Sequence, residues 1–479
     1  MRTEHTLSLQ TGKRTIEILF AGTPLLRDVL QERGVAFAHP CGGRGVCLKC
    51  AVEARGNVSP PDAIEQAKGA RLSCRLRLLG DCEVTLPEQP ELAKQTIMSD
   101  TRASALLMAA DVGTTTLEIR LFDAQTGAPV AGALSLNPQV SFSADVIGRI
   151  TAALEGKGEA MRAQLLDALR EMIRPYPPVE RAVITGNTVM LYLLTGRSPK
   201  ALAAAPFAAD CLFGHTETVL GFPAYLPRCT GAFTGADLTC ALLFSGMTER
   251  AETSLLCDIG TNGEIALWHQ GKLSVTSTAV GPAFEGAGIS CGMGGVPGAI
   301  DKVWAAQNAL DFHVIGGGKP LGVCGSGLID AVAAMLRLRI IDEYGTMDGQ
   351  AARIAGDIVL TQRDIRQVQL AKAAVAAGIE TLMDAAGVSQ MDVQTLFIAG
   401  RFGSHLDARS AAAIGLFPRS LAQKAQVLGN AALEGACQLL LYDALRDKAD
   451  GIARAAEAVQ LSGNSLFAEK FVWHMDFQQ

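Results

Sequence analysis

The sequence predicts a mixed α/β protein of two parts, a small β-rich unit at the N-terminus and a larger unit built from two related halves. Three observations carry this. The 479 residues exceed what one hydrophobic core organises. The texture changes near residue 105, from short alternating stretches to apolar strands that alternate with Ala- and Leu-rich helical runs. Finally, the larger part echoes itself. The stretch from Ala110, Ala-Asp-Val-Gly-Thr-Thr-Thr-Leu-Glu-Ile, returns at Cys257 as Cys-Asp-Ile-Gly-Thr-Asn-Gly-Glu-Ile. Ala182-Val-Ile-Thr-Gly-Asn likewise returns as Leu396-Phe-Ile-Ala-Gly-Arg. A repeat this long is a duplicated domain, not a solenoid.

In the N-terminal unit, Thr6–Leu9 and Arg14–Phe20 alternate around Thr11-Gly12-Lys13, which predicts a hairpin. A short helix is expected from Leu25 to Gln31, after Pro24 and before Gly34, with strands at Ala51–Ala54 and Cys82–Leu86. Pro87 to Lys94 reads as a linker. The expected divisions are 1–90, a linker over 91–104, a first lobe over 105–250 and a second over 251–479.

Composition narrows the function. Hydrophobic residues are 49% and charged residues 19%, enough apolar matter for large cores and against disorder. The net charge is −6 with no clustered basic stripe, so no nucleic-acid surface is expected. Met1 to Gln10 lacks the apolar core of a signal peptide, and runs such as Ala103–Ala110 are too short to span a bilayer. A cytoplasmic protein is expected.

Twelve cysteines are many for that compartment, where disulfides are disfavoured and clustered thiols suggest metal or redox chemistry. Cys41, Cys47 and Cys50 follow a Cys-x5-Cys-x2-Cys spacing, with Cys74 further on. A plant-type 2Fe–2S loop has a closely similar spacing with one remote ligand. Gly42, Gly43 and Gly45 allow backbone N–H groups to turn towards sulfur. The rival reading is structural zinc, which favours two Cys-x2-Cys pairs where this chain has one. Cys82 lies on an expected strand and reads as core, and the seven later cysteines read as buried core or site-lining thiols.

In the larger part, Asp111 precedes Gly113-Thr114-Thr115-Thr116, and Asp258 precedes Gly260-Thr261-Asn262. Glycine admits the backbone to phosphate, hydroxyls and N–H groups donate to its oxygens, and the Asp can hold Mg²⁺ through water. No P-loop sequence is present. Asp145 either orients water or metal, or begins a helix. Gly325-Ser326-Gly327 opens a helix where an anion or ribose could sit, with plain helix initiation as the alternative. The Gly281–Gly286 and Cys291-Gly-Met-Gly-Gly loops read either as ligand loops or as tight glycine turns. His313 and His405 show no ligand spacing.

The first 90 residues resemble adrenodoxin and plant-type ferredoxins, of β-grasp fold. That resemblance implies that Cys41, Cys47, Cys50 and Cys74 bind a 2Fe–2S cluster of potential near about −400 mV. The larger part resembles the acetate and sugar kinase, heat-shock chaperone and actin superfamily, a duplicated, ribonuclease H-like two-lobed ATPase. The two Asp-x-Gly-Thr loops match its phosphate loops, and Gly186-Asn187 lies in its first connecting motif. Gly400-Arg401 matches its adenosine motif, and Gly429-Asn430 begins its second connecting motif.

One family joins the two parts in this order, the reductive activators of corrinoid proteins in anaerobes, and the resemblance runs over nearly the whole chain. It implies ATP-dependent one-electron reduction of Co(II) to Co(I) on a separate corrinoid protein of a methyltransferase system. A low-potential ferredoxin or flavoprotein would be the donor, and a homodimer is compatible. A gap on the order of 100–200 mV needs roughly 2–5 kcal/mol. Longer members carry a linker and a middle domain between the two parts, whereas here only 91–104 is expected. The rivals are a metabolite kinase with a redox-sensing domain, a radical-dehydratase type of activator, and an ATP-switched binding module. A kinase calls for a carboxylate base, a dehydratase activator for a 4Fe–4S cluster bridging a dimer.

Overall fold

A computed structural model describes residues 4–477 except 13, 36, 38, 40–42, 44, 46–49, 88–102, 308, 350 and 401–405. The N-terminal unit contains β1 (Glu4–Thr11), β2 (Arg14–Ala21), α1 (Leu26–Glu32), β3 (Ala51–Val58), α2 (Ala63–Lys68), β4 (Arg71–Leu72) and β5 (Leu78–Leu86). They form a five-stranded sheet in the order β2-β1-β5-β3-β4, with β1 parallel to β5 at its centre, the β-grasp arrangement. Residue by residue, β5 alternates buried and exposed, so it covers the core with one face. Against that face α1 buries Leu26, Val29 and Leu30. Cys82 is buried in this core, as expected. Unforeseen in the sequence, α2 is fixed by a capping box between Asp62 and Glu65.

The first lobe has β6 (Leu106–Val112), β7 (Thr116–Asp123), β8 (Pro129–Leu136), α3 (Val146–Ala152), α4 (Gly158–Ile173), β9 (Val179–Gly186), α5 (Thr188–Thr195), β10 (His215–Val219), β11 (Phe222–Leu226) and α6 (Ala236–Ser245). Its sheet runs β10-β11-β9-β6-β7-β8. In the second lobe, β12 (Ser254–Ile259), β13 (Gly263–His269) and β14 (Lys272–Thr278) repeat the antiparallel meander. An insertion follows, with β15 (Ala299–Ala306), β16 (Ala309–Val314), β17 (Gly322–Val323), α7 (Gly325–Arg337), β18 (Ala351–Ala355) and β19 (Ile358–Thr361). After it come α8 (Gln362–Ala386), β20 (Thr395–Ala399), α9 (Ala408–Ala413), β21 (Ala425–Gly429), α10 (Ala431–Leu441), α11 (Leu445–Ala455), β22 (Ala456–Ala458) and α12 (Ser465–Trp473). The second sheet runs β21-β20-β12-β13-β14-β22.

The two sheets share an order. In each, a three-stranded meander is followed by a strand parallel to its first member, β9 beside β6 and β20 beside β12. Those four strands carry both sequence echoes, so the duplication is structural.

Each central strand feeds two cores. Leu106, Met108, Ala110 and Val112 face the first lobe's own core, while Leu107 and Ala109 face a core that also receives Leu256, Ala266 and Phe397 from the second lobe. The helices α6 and α10 fill this shared core and cross closely. At the crossing, a Cβ on Gly435 would stand 2.1 Å from the carbonyl oxygen of Cys240. Only glycine lets the backbones approach this far. Gly435→Ala is expected to lower stability by about 1–3 kcal/mol, as overpacking does, measured by urea denaturation.

Candidate functional site

The two hairpin turns, Gly113–Thr115 after β6 and Gly260–Asn262 after β12, meet between the lobes. Thr115 Oγ1 lies 3.0 Å from Thr261 Oγ1, a contact across 146 positions of sequence. Strand register then places acids face to face. Asp111 on β6 pairs with Glu118 on β7, and Asp258 on β12 pairs with Glu264 on β13. Like charges opposed on a sheet are destabilising, yet both halves carry the arrangement. Asp237, in the first turn of α6, and Glu285 join them; the carboxylate of Glu285 accepts from Thr261 Oγ1 at 3.0 Å with each oxygen.

The consequence is a floor of carboxylates that resist ionisation. Burial is the main cause throughout. It raises Asp258 to about 7, with the charges of Asp237 and Glu285 adding to it. Asp237 rises to about 6. Asp111 and Glu264 are held well above the ordinary carboxylate range, and Glu285 is raised. Asn430, at the start of α10, donates Nδ2 to Asp111 at 3.1 Å and to Glu118 at 3.0 Å, tying the second lobe's helix to the first lobe's acids. Hard oxygen donors crowded in this way suit a divalent cation such as Mg²⁺. Among the described residues no group of three or more His, Cys, Asp or Glu side chains is arranged to hold a metal ion.

Around this floor sit most of the residues anticipated from the sequence. Thr114 is buried with its carbonyl accepting from Arg149 Nη2, and Thr116 opens β7. Gly186 ends β9 beside Val112, and Asn187 caps α5 through its bond to Val189 N. Gly400 has φ +99°, and a Cβ there would meet the carbonyl of Ile259 at 2.5 Å and Asp258 Oδ1 at 2.9 Å, so only glycine fits against the second loop. Arg401 lies outside the described residues.

Two further groups make local bonds. Asp145 is exposed and caps α3, accepting from Gly148 N at 2.7 Å, which is the helix-start alternative. Gly325-Ser326-Gly327 opens α7, where Ser326 Oγ donates to the carbonyl of Asp301 at 3.0 Å and is spent on packing the helix against β15. His313 is paired with Asp301 at 2.6 Å, and His405 lies outside the described residues. Glu118, Asp237 and Glu264 were not singled out from sequence, and Glu285 entered only as part of the Gly281–Gly286 loop. The echo held a signal for two of them, since each Asp-x-Gly-Thr is followed by a Glu on the next strand.

In the β-grasp unit, Cys50 and Cys74 are buried with sulfurs 3.4 Å apart, and Ser73 N donates to the Cys50 carbonyl at 2.9 Å. A tetrahedral metal with metal–sulfur bonds of about 2.3 Å holds two thiolates roughly 3.8 Å apart, so the pair suits one iron or zinc. Cys41 and Cys47 lie outside the described residues.

Fold and site together define an actin-like, two-lobed nucleotide-binding protein with a thiol-bearing β-grasp unit attached. Comparison with known proteins is more specific. Residues 252–479 match the family model for the C-terminal, ASKHA domain of RACo, and residues 106–250 match the RACo middle region. The corrinoid activation enzyme RamQ of Eubacterium limosum is 32% identical over 416 residues, 77% of this chain and 70% of that protein. The [Co(II) methylated amine-specific corrinoid protein] reductase of Methanosarcina barkeri is 25% identical over 398 residues, 74% of this chain and 73% of that one. A solved structure of a reductive activator for corrinoid, iron–sulfur protein shares the fold, with a TM-score of 0.73, 24% identity and 98% of both chains covered. The chain belongs to the RACo family of corrinoid activators. One expectation is corrected: the middle region is not missing but is the segment that builds the first lobe. No helix among the described residues is long and apolar enough to cross a membrane.

The crowded acids set a pH signature. Asp258 moves from an ordinary 3.8 to about 7 in the folded chain, so between those values the folded state holds the extra proton. Its contribution to stability is complete below about pH 4 and is lost as pH rises through about 7. Without Mg²⁺ or nucleotide, Asp258→Asn is therefore expected to match the parent near pH 4 and to exceed it at pH 8 by a few kcal/mol, on the order of 1.4 kcal/mol for each tenfold change in proton affinity. Denaturation at both pH values checks this.

Proposed function

We propose that this protein uses ATP to drive one-electron reduction of a corrinoid protein, taking cobalt from Co(II) to Co(I). The observation that carries the reading is the union, in one chain, of a buried thiol pair and a two-lobed acid-floored cleft. Membership in the RACo family and the names of the two curated relatives support it. Phosphotransfer to a metabolite would leave the thiols without a role.

In this reading, residues 1–90 form the electron-carrying domain, 91–104 the linker, and 105–250 and 251–479 the two lobes. Cys41, Cys47, Cys50 and Cys74 hold a 2Fe–2S cluster, which supplies a one-electron carrier of low potential. The electron comes from a reduced ferredoxin or flavoprotein and ends on cobalt, with no proton or leaving group to balance. Gly113, Thr114, Thr115 and Thr116 on one side, with Gly260, Thr261 and Asn262 on the other, donate to the phosphates. Asp111 and Asp258 position the water shell of Mg²⁺, which offsets their charge as well as that of the phosphates. Gly400 and Arg401 border the adenosine. Gly186 and Asn187 lie where the first lobe meets the connecting helices. Asp145 serves the site indirectly by capping the helix that carries Arg149.

The energy link is differential binding. A nucleotide shifts the lobes only by the difference in its affinity for their two arrangements. Anaerobic protein is expected to contain about two irons and two acid-labile sulfides per chain; stoichiometric zinc without sulfide would overturn the cluster. Reduced protein mixed with a Co(II) corrinoid protein should yield Co(I), followed by absorption, only with hydrolysable ATP. Cys47→Ser should hydrolyse ATP and transfer no electron. Asp111→Ala should accept an electron but fail to deliver it. Equal Co(I) yield with and without ATP would refute the coupling.

A further inference from the structure

The β-grasp unit is docked on the first lobe by directed bonds that converge on a single turn. Gln31, on α1, donates Nε2 to the carbonyl of Ser141 at 2.6 Å. His39 brings Nδ1 to 3.0 Å from the same carbonyl, and its backbone N–H donates to the carbonyl of Val140 at 3.2 Å. From the lobe's side, Gln164 on α4 donates to the carbonyl of Gln31 at 2.6 Å, and Lys157 Nζ to Gln31 Oε1 at 3.2 Å. Gln31 and His39 are both buried. Leaving such polar groups unpaired costs about 1–3 kcal/mol each, so this is a specific contact, not a casual touch.

The other end of the turn belongs to the first phosphate loop. Pro138–Ser141 is one turn of 3-10 helix, closed by Ser141 Oγ donating to the carbonyl of Pro138 at 2.8 Å. Asn137, its cap, donates its backbone N–H to the carbonyl of Thr115 and its side-chain amide to that of Gly113, both at 2.8 Å. Arg149 donates to the carbonyl of Thr114 and, at 3.3 Å, to Gln139 Oε1. Three successive carbonyls of the phosphate loop are thus tied to the turn. On the far side, His39 Nε2 lies 2.8 Å from Ser73 Oγ, next to Cys74.

The hydroxyls of Thr115 and Thr261 touch at 3.0 Å. A phosphate received between those two hydroxyls would have to separate them. Because the first loop is bonded to the turn at Gly113, Thr114 and Thr115, parting the loops moves the turn against Gln31 and His39.

We propose that the Asn137–Ser141 turn makes nucleotide binding and docking of the cluster-bearing domain antagonistic, so that nucleotide in the cleft releases that domain from the first lobe. This rests on the reading of the two loops as a nucleotide site. Coupling of this kind is reciprocal: the factor by which nucleotide weakens docking is the factor by which docking weakens nucleotide binding.

The test uses the full chain, with Mg-ADP and the magnesium complex of a non-hydrolysable ATP analogue as probes. Calorimetry gives affinity for the parent, Gln31→Ala and Gln164→Ala, and iron content verifies that the thiol loop survives in each. Hydrogen exchange follows the His39 amide, which donates to Val140. Removing either docking bond is expected to tighten analogue binding by about fivefold or more, the lower end of allosteric coupling. Analogue should also speed exchange at His39 in the parent. Parental affinity in both variants, despite faster exchange at His39, would overturn the proposal, as would slower exchange in the parent with analogue bound. A parent that binds neither probe would remove the nucleotide site and the proposal with it.

Discussion

Crowding acids at the meeting point of two lobes is the constraint on which the molecule turns. Asp111 faces Glu118, Asp258 faces Glu264, and Asp237 and Glu285 stand close by. Arg149 approaches from the first lobe but spends its donors on Thr114, Gln139 and Ser143, and burial depresses its own pKa to about 9. A site of this kind is under tension without a cation. On the proposed function, a metal–phosphate complex would relieve it, the metal offsetting the acids and the threonine loops receiving the phosphates.

That tension would be useless if the lobes were rigidly fused, and equally so if they were independent. The shared core resolves this. Helices α6 and α10 cross at Gly435 and Cys240 and draw apolar contacts from both sheets, while Asn430 at the head of α10 bonds the acids of the opposite lobe. The loops and both lobes are thus joined through these two helices. The duplicated strand order gives each lobe the same acid-bearing hairpin, so the cleft is closed by two versions of one device.

How much of this the sequence disclosed depended on how local the signal was. The paired Asp-x-Gly-Thr loops are short motifs, and they meet in the structure; of the cysteine motif, Cys50 and Cys74 lie together, while Cys41 and Cys47 lie outside the described residues. The β1–β2 hairpin and α1 were legible from alternation and from Pro24 and Gly34. By contrast, α2 is six residues long and rests on a capping box that propensity alone does not reveal. Glu118 and Glu264 became site residues only once strand register set them opposite Asp111 and Asp258. An acid before an apolar run suits catalysis and capping alike, and Asp145 caps α3. The middle region escapes notice because its sheet repeats that of the second lobe, so its sequence reads as half of the ATPase.

The least legible feature is the seam between the two parts, because Gln31 and Ser141 are 110 positions apart and neither lies in a motif. Yet the seam decides what the attached domain can do. Buried polar bonds give a contact that is either made or broken, since a half-separated Gln31 would leave both its amide and the Ser141 carbonyl unsatisfied. A linker keeps a released domain near its docking site at high effective concentration, so release need not mean loss. If the unit carries electrons, as proposed, it could alternate between a parked position on the first lobe and an outward one. The free energy that moves it need only exceed a few hydrogen bonds, which is the scale that differential nucleotide binding supplies.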